Sequence, residues 1–371
     1  MTEARWAWTE IDLGAIAHNV RSLSAFAPQS RFMAVVKADG YGHGAEQVAR
    51  AALQAGATHL GVATVDEGAA LRRAGIASPI HVLSEPPETS VGAVLEHKLI
   101  PALYSREFAG ALSRMAALRG VEAPFHLKVD TGMNRIGVRA EDAAEFALSL
   151  AEFEGLRHEG TFTHFATADV PNDWDVERQL KRFRATLDQM KTEGVKPGIV
   201  HAANSPATIL YPDAHFDMVR CGIALYGLHP SAHTRGRVDL IPAMSVKARA
   251  TLVKRIGMGE GVSYGLTWTS GTSTSIATLP LGYADGVHRV LSNKAEVLVG
   301  GKRAHQVGRV CMDQLMVEVP RGVDVTRGDE FVLVGAQGSE RILIDEMADI
   351  AGTINYEIAC GFGMRLPRVY R

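Results

Sequence analysis

The sequence predicts an α/β fold in which a (β/α)8 barrel of the TIM type is followed by a C-terminal, mainly antiparallel β domain. Up to about Leu225, short apolar and β-branched runs alternate with segments rich in Ala, Leu and Glu. Near-continuous apolar strands separated by helices are typical of a parallel sheet buried on both faces. After about Ser231 the apolar runs become short and are separated by glycines, which is typical of antiparallel hairpins.

Eight strand–helix units within roughly 200 residues fit a closed barrel better than an open doubly wound sheet. We predict barrel strands at Met33–Ala38, His59–Thr64, Pro79–Ser84, Ile100–Ser105, Pro124–Asp130, Leu156–His164, Ile199–Ala203 and Met218–Leu225. Residue types that favour helices lie between them. The predicted helices include Ala45–Ala55, Glu67–Ala74, Ser105–Leu118 and Glu141–Leu150.

The second domain is predicted from the glycine-separated runs. Its strands are expected at Met244–Lys254, Thr274–Leu279, Ala295–Val299, Gln314–Val319 and Glu330–Val334, with a helix near Ile344–Ala351. The opening Trp6–Asp12 precedes the first barrel unit and is a candidate to pair with this domain. We therefore place the barrel domain at residues 1–235, apart from the first 11 or so, and the β domain at residues 236–371.

Composition excludes several classes of protein. The 371 residues carry 39 basic and 41 acidic side chains, a formal net charge of -2, which argues against nucleic acid or an anionic membrane as the main partner. Three scattered cysteines exclude a disulfide framework and a CxxC metal site, so no metal is expected. The charged start and the lack of a long apolar run predict a soluble, cytoplasmic protein.

The first candidate for chemistry is Lys37, in AVVKADGYGHG at the end of the first predicted strand. A charged amine in an apolar strand is costly unless it is paired or deprotonated, and barrel enzymes place their chemistry at this end of the strands. The alternative is a lysine that extends to the rim, with glycines that serve only the turn. The spacing of the glycines matches neither a phosphate loop nor a dinucleotide fingerprint.

Later strands add further polar residues at the same rim. Lys128 lies inside the fifth predicted strand, followed by Asp130 and Arg135, and His164 ends the sixth. Two lysines in barrel strands weaken a purely structural interpretation, although a single histidine at a rim is more often structural.

Strands seven and eight complete the set. Asn204 and Ser205 are candidate anion ligands, as are Arg220 and the backbone amides of Gly222 and Ile223. Barrels frequently bind phosphate at these two loops. A lysine for a Schiff base, a phosphate site and an arginine for a ring nitrogen are what pyridoxal phosphate (PLP) requires.

These residues lie in motifs that closely resemble those of bacterial alanine racemases, the fold-type III PLP enzymes. The likeness runs along essentially the whole chain. The motifs occur in the family's order: AVVKADGYGHG, HLKVDTGMNRIG, HAANSPA, MVRCGIALYG, GEGVSYG, LGYADG and VGRVCMDQLMV. The family's fold, a PLP barrel with a C-terminal β domain in a head-to-tail homodimer, agrees with the fold predicted above.

The resemblance implies roles for the barrel residues. Lys37 would be the PLP Schiff-base lysine, Arg220 would face the pyridine nitrogen, and His164 would belong to the hydrogen-bond network beside the ring. The phosphate cradle would consist of Tyr41, Asn204, Ser205, Gly222, Ile223 and Tyr356.

It also implies roles at the substrate. Arg135 would contact the cofactor's phenolic oxygen and the substrate carboxylate, supported by a carbamylated Lys128. The β domain would supply Tyr264, which alone could equally be a packing residue, as the second base in the partner subunit's site. Met312 would bind the substrate carboxylate through its backbone amide, with Asp313 as a supporting residue. Tyr283 and Arg289 would line the entrance.

The implied activity is the racemisation of L- and D-alanine, which would supply D-alanine for peptidoglycan. Two bases on opposite faces would exchange the Cα proton: Lys37 for the D enantiomer and Tyr264 for the L enantiomer.

Three alternatives stay open. They are a non-enzymatic PLP-binding barrel, a PLP amino-acid decarboxylase of the same fold type, and a racemase of broader or serine specificity. The last is raised by Val287-His288-Arg289, where the family commonly has an aromatic residue and a proline before the arginine.

Overall fold

The computed structural model describes residues 5–170 and 174–371, and the chain divides into two compact units. The barrel unit comprises Gly14–Gly40 and Ala45–Pro242. The β unit comprises the described residues up to Leu13, the short segment Tyr41–Gly44 and Ala243–Arg371. The units divide after Pro242, and the boundary between residues 235 and 236 stays a prediction.

Within the described residues, the barrel unit has eight parallel strands in a nearly closed barrel, which confirms the predicted fold class. They are Arg31–Val35, His59–Val62, Ile80–Val82, Ile100–Leu103, Ala123–Asp130, Leu156–Phe162, Ile199–His201 and Met218–Cys221. Each of the first six strands pairs with the next, and the eighth pairs with the first. Single hydrogen bonds join the seventh and eighth, including Asp217 N–H to Val200 O (3.0 Å) and Arg220 N–H to Ala203 O (2.9 Å).

Helices follow most of the strands. The helices of the barrel unit are Leu13–Ser24, Ala45–Gln54, Val65–Arg73, Val91–Glu96, Arg106–Arg119, Ala143–Ser149, Trp174–Thr192 and Ser205–Leu210. The first of them begins one residue before the unit itself, which starts at Gly14. The two-residue strand Val138–Arg139 pairs beside the fifth barrel strand.

Seven of the eight barrel strands end two to four residues earlier than predicted, and three of these ends bear on the candidate site. The first ends at Val35, so the prediction that Lys37 lies in it is wrong; Ala38, with φ 51° and ψ 49°, begins a left-handed turn there. The sixth ends at Phe162, before His164, and a 3-10 helix, Ile223–Tyr226, follows the eighth. Lys37, His164 and Ile223 therefore lie in the turns beyond the strands, where backbone groups are not used by the sheet, whereas Lys128 and Arg220 lie within strands.

The β unit consists mainly of antiparallel strands. They are Ala7–Ile11, Met244–Arg249, Leu252–Ile256, Gly261–Val262, Trp268–Thr269, Thr274–Leu279, Glu296–Val299, Lys302–His305, Leu315–Glu318, Glu330–Gln337, Glu340–Ile342 and Arg368–Tyr370. Ala7–Ile11 pairs with Met244–Arg249. The helices Ile344–Ala351 and Asn355–Gly361 follow the penultimate strand.

The prediction of a single strand at Met244–Lys254 is wrong, because the chain leaves one sheet and enters another within this range. Ala250 still exchanges backbone hydrogen bonds with the segment that precedes Glu330, at Gly328 and Asp329. Thr251 N–H then donates to Thr278 O (2.9 Å), and the chain continues along Thr274–Leu279.

Among the residues that the structure describes, no helix is long and apolar enough to cross a membrane.

Candidate active site

Lys37 is followed by a left-handed turn. Ala38, Asp39 and Gly40 have φ values of 51°, 50° and 64°. Each non-glycine residue in this conformation costs roughly 1–2 kcal/mol, so other contacts must hold the turn. The Glu67 carboxylate accepts a hydrogen bond from the Ala38 N–H (2.7 Å), and the Asp39 carboxylate accepts one from the Ala45 N–H (2.9 Å).

Glu67 also organises the helix that begins beside this turn. Thr64 and Glu67 form a capping box at the start of the helix Val65–Arg73. The second carboxylate oxygen of Glu67 accepts the N–H groups of Ala63 (2.7 Å) and Thr64 (3.2 Å). One side chain thus fixes both a helix terminus and the backbone immediately after Lys37.

The loops after strands seven and eight meet at the start of two helices. Asn204 caps the helix Ser205–Leu210 by accepting the Ala207 N–H at Oδ1 (3.1 Å). The hydroxyl oxygen of Ser205 accepts the Gly222 N–H (2.9 Å), immediately before the 3-10 helix that begins at Ile223. Ser205 keeps its own O–H for donation, and helix-starting N–H groups lack intrahelical acceptors. This donor set fits a phosphate.

Arg220 is a buried guanidinium surrounded by neutral acceptors. It is 3% exposed, and its Nη2 donates to Thr163 O (2.8 Å) and Ala202 O (3.0 Å). Burial lowers the pKa of Arg220 to about 9, which leaves it protonated at neutral pH. Its two imidazole neighbours are His201, with Nδ1 3.0 Å from Nη1, and His164, with Nδ1 3.1 Å from Nη2.

Because a guanidinium can only donate, Arg220 determines the tautomers of these histidines. The Nδ1 of His201 must accept, so we infer that its proton is on Nε2, which lies 2.7 Å from His126 Nδ1. Burial, and then Arg220, lower the pKa of His201 well below its usual value. The result is a row of neutral imidazoles that extends from Arg220 into the barrel.

For the same reason we infer that His164 also has its proton on Nε2, where it faces another donor. Asn204 Oδ1 accepts the Ala207 N–H, so the other end of the amide, the NH2 group, points the opposite way and lies 3.4 Å from His164 Nε2. Desolvation, and then Arg220, lower the pKa of His164 well below its usual value. Two donors facing the same space suit an acceptor on a bound ligand.

Lys128 lies beside Arg220 in the barrel. It is 3% exposed, its Nζ donates to Val129 O (3.1 Å), and Nζ lies 5.2 Å from the Phe162 ring centroid. The Arg220 guanidinium lies 5.4 Å from the same centroid. Burial, and then Arg220, lower the pKa of Lys128 to about 7. A substantial fraction of Lys128 is therefore an uncharged amine at neutral pH.

Arg135 lies on the exposed turn after the fifth strand. Asp130 shapes this turn by accepting the N–H groups of Gly132 and Asn134, both at 3.0 Å. The positive charge of Arg135 contributes to lowering the pKa values of Lys128 and His164. Arg135 therefore lies on the same side of the barrel as these two residues.

Tyr41 and Tyr356 belong to the β unit and lie close together. Their ring centroids are 6.3 Å apart. Burial raises the pKa of Tyr41, so its hydroxyl remains protonated and can donate. Tyr356 lies in the helix Asn355–Gly361, which we did not predict.

The remaining candidates lie on exposed turns of the β unit. Tyr264 is 72% exposed at the tip of the hairpin formed by Gly261–Val262 and Trp268–Thr269. Met312 is 53% exposed, and backbone hydrogen bonds join its segment to the turn that carries Tyr283.

Asp313 and Arg289 complete this set. Arg365 donates to the Asp313 carboxylate (2.6 Å) and forms an ion pair with the fully buried Asp285, so it connects the Met312 and Tyr283 turns. Arg289 begins the 3-10 helix Arg289–Leu291 and is exposed.

The structure thus groups the candidates within each unit. In the barrel unit these are Lys37, Lys128, Arg135, His164, Asn204, Ser205, Arg220, Gly222 and Ile223. In the β unit these are Tyr41, Tyr264, Tyr283, Arg289, Met312, Asp313 and Tyr356.

Sequence reasoning missed His201, His126 and Glu67. The two histidines interrupt apolar strands in HLKVD and HAANS, a signal that could have been noticed. Glu67 gave no such signal, because it looks like an ordinary acidic residue in the first turn of a helix.

Comparison with known proteins covers both halves of the chain. The family model for the alanine racemase N-terminal domain matches residues 11–230, and that for the alanine racemase C-terminal domain matches residues 243–370. The alanine racemase of Symbiobacterium thermophilum is 48% identical over 366 residues, covering 99% of this chain and 97% of that protein.

Solved structures of alanine racemases have the same fold as this chain. An alanine racemase from D-cycloserine-producing Streptomyces lavendulae has a TM-score of 0.94 at 39% identity, covering 100% of this chain and 98% of that one. An alanine racemase from Bartonella henselae with covalently bound pyridoxal phosphate has a TM-score of 0.88 at 29% identity, covering 98% and 99%. These full-length matches exclude the barrel-only and decarboxylase alternatives. The chain belongs to the alanine racemase family of isomerases.

Proposed function

We propose that the protein interconverts L- and D-alanine with PLP as cofactor, using Lys37 and the partner subunit's Tyr264 as bases on opposite faces of the substrate. Racemisation itself follows from the family. The observation that best supports the cofactor and the site is Arg220, a buried cation within the barrel strands that is held by neutral histidines. The Schiff-base lysine Lys37 follows the first of these strands.

The described residues fit PLP. Ser205, Gly222 and Ile223 would hold the phosphate, and Asn204, Tyr41 and Tyr356 are the other proposed ligands. When bound, the cofactor supplies the electron sink that makes the Cα proton of alanine acidic. Arg220 would face the ring nitrogen and, as a donor that stays charged, keep that nitrogen unprotonated.

The histidines support these roles for Lys37 and Tyr264. A strongly lowered pKa makes His164 a poor proton acceptor, so it would orient groups through its donor instead of serving as a base. Lys37 would take and return a proton at Nζ for the D enantiomer. Tyr264 would do so at its phenolic oxygen for the L enantiomer.

The exposure of the β-unit turns supports a homodimer with shared sites. Tyr264, Leu266, Met312 and Met364 are 72%, 61%, 53% and 87% exposed in the single chain. Exposed apolar side chains in such numbers are typical of a protein interface. A second copy of the chain would bring Tyr264 and the Met312 backbone amide to the barrel of its partner, with Tyr283 and Arg289 at the entrance.

Lys128 is proposed to be carbamylated. Its uncharged amine would attack the carbon of CO2, so that an N–C bond forms, one C=O π bond opens to a carboxylate oxygen and the nitrogen releases one proton to solvent. A side chain that is otherwise partly cationic would thereby become an anion. That anion would be stabilised by Arg135 and Arg220, and it would orient Arg135 toward the substrate carboxylate.

The assay that tests this proposal follows D-enantiomer formation by chiral chromatography from L-alanine and, separately, from L-serine. We expect kcat/KM for alanine to exceed that for serine by about 10-fold or more, since an added hydroxyl changes a small site modestly. A PLP-loaded protein that forms no D-alanine would contradict the proposal. Comparable rates would favour the broader-specificity alternative raised by Val287-His288-Arg289. D-Alanine made here would supply peptidoglycan synthesis.

A further inference from the structure

Ser263, which precedes the proposed base Tyr264, has an unusual backbone conformation. Its φ is 67° and its ψ is −176°, a region used almost exclusively by glycine. The following residues continue the tight turn, with Gly265 at φ 73° and Leu266 at φ 44°. A residue with a Cβ in this conformation is strained, and such strain persists where surrounding contacts compensate for it.

The Ser263 hydroxyl makes the compensating contacts. It donates to the Arg309 carbonyl oxygen at 2.7 Å and lies 3.4 Å from the sulfur of Cys311. Gly308 allows this approach, because a Cβ there would lie 2.8 Å from the Ser263 Cβ and 2.5 Å from the Val262 oxygen. The Tyr264 hairpin is therefore attached to the segment that leads to Met312.

That segment is itself fixed. The Cys311 N–H donates to Gln314 O (2.9 Å), and the Cys311 carbonyl accepts the N–H of Tyr283 (3.0 Å). Glycine would adopt the conformation of residue 263 with less strain but could not make the hydroxyl contact. The distinctive contribution of serine is thus the connection to Arg309 and Cys311.

We propose that Ser263 is a positioning residue. It holds Tyr264 in a fixed position relative to the Met312 segment, so that Tyr264 can exchange the Cα proton of L-alanine. The proposal rests on the proposed function, in which Tyr264 exchanges the proton of L-alanine. Ser263 touches neither substrate nor cofactor in this role, and it acts through the backbone and through Cys311.

The tests use two variants and a matched control. Ser263→Ala removes the hydroxyl and keeps the strain, whereas Ser263→Gly removes both and is expected to fold at least as well. The control is Ser273→Ala, which removes a serine whose hydroxyl also donates to a carbonyl of the β unit, at Ile256 (3.2 Å).

The first readout is independent of activity. Hydrogen–deuterium exchange of the peptide spanning residues 261–269 should be at least about fivefold faster in both Ser263 variants than in the parent. Exchange there should be unchanged in Ser273→Ala. Unchanged exchange in both Ser263 variants would overturn the proposal.

The second readout distinguishes proton transfer by Tyr264 from proton transfer by Lys37. The enantiomers have equal free energy, so kcat/KM must fall by the same factor in both directions, and we expect about 10-fold in each Ser263 variant. The primary isotope effect on kcat/KM should rise for C2-deuterated L-alanine, because the Tyr264 step becomes more rate-limiting. For C2-deuterated D-alanine it should fall or stay constant.

If the Ser263 variants are slower only because less of the protein is folded, both isotope effects will be the same as in the parent. Lower rates with unchanged isotope effects would therefore overturn the proposal. Tyr264→Phe distinguishes this failure from failure of the proposed function. If Tyr264→Phe is inactive and the Ser263 variants behave like Ser273→Ala, the Ser263 proposal is wrong and the two-base proposal stands. If Tyr264→Phe racemises normally, both are wrong.

Discussion

Arg220 and Lys128 are two buried basic side chains of the barrel. Both lie near the face of Phe162, where a cation is favoured by the ring quadrupole. Removal from water penalises their charged forms, and their mutual repulsion adds to the penalty on Lys128. Arg220 retains its proton through carbonyl and imidazole acceptors, whereas Lys128 donates, among the described residues, to the Val129 carbonyl and loses its proton more readily.

The lowered pKa of Lys128 predicts a pH dependence of stability. The folded chain releases the proton near pH 7, while the unfolded chain keeps it to about pH 10.4. Stability therefore rises with pH in this window, since the unfolded state binds more protons. Relative to Lys128→Met, the parent should gain about 4 kcal/mol in the free energy of unfolding from pH 7 to pH 10, measured in CO2-free buffer.

Lys181→Met, on an exposed position of the helix Trp174–Thr192, is the control and should show no such trend. A pH-independent difference between the parent and Lys128→Met would contradict the assigned pKa. With 13C-labelled CO2, a carbamate signal in the parent that is absent in Lys128→Met would support the proposed modification.

At the scale of elements, the turn after Lys37 depends on a helix that is distant in the sequence. Glu67 accepts three backbone N–H groups, one in the left-handed turn and two at the helix terminus. Glu67→Ala should lower the free energy of unfolding by about 2 kcal/mol, because it removes a capping box and leaves the Ala38 N–H without its acceptor. It should also speed the release of cofactor.

Thermal unfolding and the loss of cofactor absorbance measure these two effects. Glu67→Gln keeps the shape and one oxygen acceptor, so its effect should be smaller than that of Glu67→Ala. Cofactor release as slow as in the parent in both variants would contradict the assigned role.

The sequence predicts the elements better than their ends. The strand alternation and the apolar runs locate the eight barrel strands, because burial on both faces leaves a continuous apolar signal. The end of the first strand is missed because Ala38 adopts a left-handed conformation that alanine rarely takes, held by a contact to Glu67. Likewise, no local pattern indicates that Thr251 moves to a different sheet.

Motif spacing predicts the candidate site residues but not what holds them. Lys37, Ser205 and Arg220 lie in motifs that the family resemblance identifies. His201 and Ser263 escape prediction because their roles depend on side chains that meet only after folding.

At the scale of the whole molecule, the candidate bases belong to different compact units, with Lys37 in the barrel unit and Tyr264 in the β unit. Tyr264 is 72% exposed in the single chain, so it has room to contact another subunit. In a twofold homodimer each barrel would then receive Tyr264 from its partner. A complete site would then need one base from each of two chains.

Mixing two inactive homodimers tests whether the subunits share the site in this way. Lys37→Ala and Tyr264→Phe homodimers should each lack racemase activity. After subunit exchange at equal amounts, verified by mass, half of the dimers would be mixed, and each would contain one site with both bases. We expect recovery to about a quarter of the parent activity, because one site in four would contain both bases. No recovery after demonstrated exchange would contradict it.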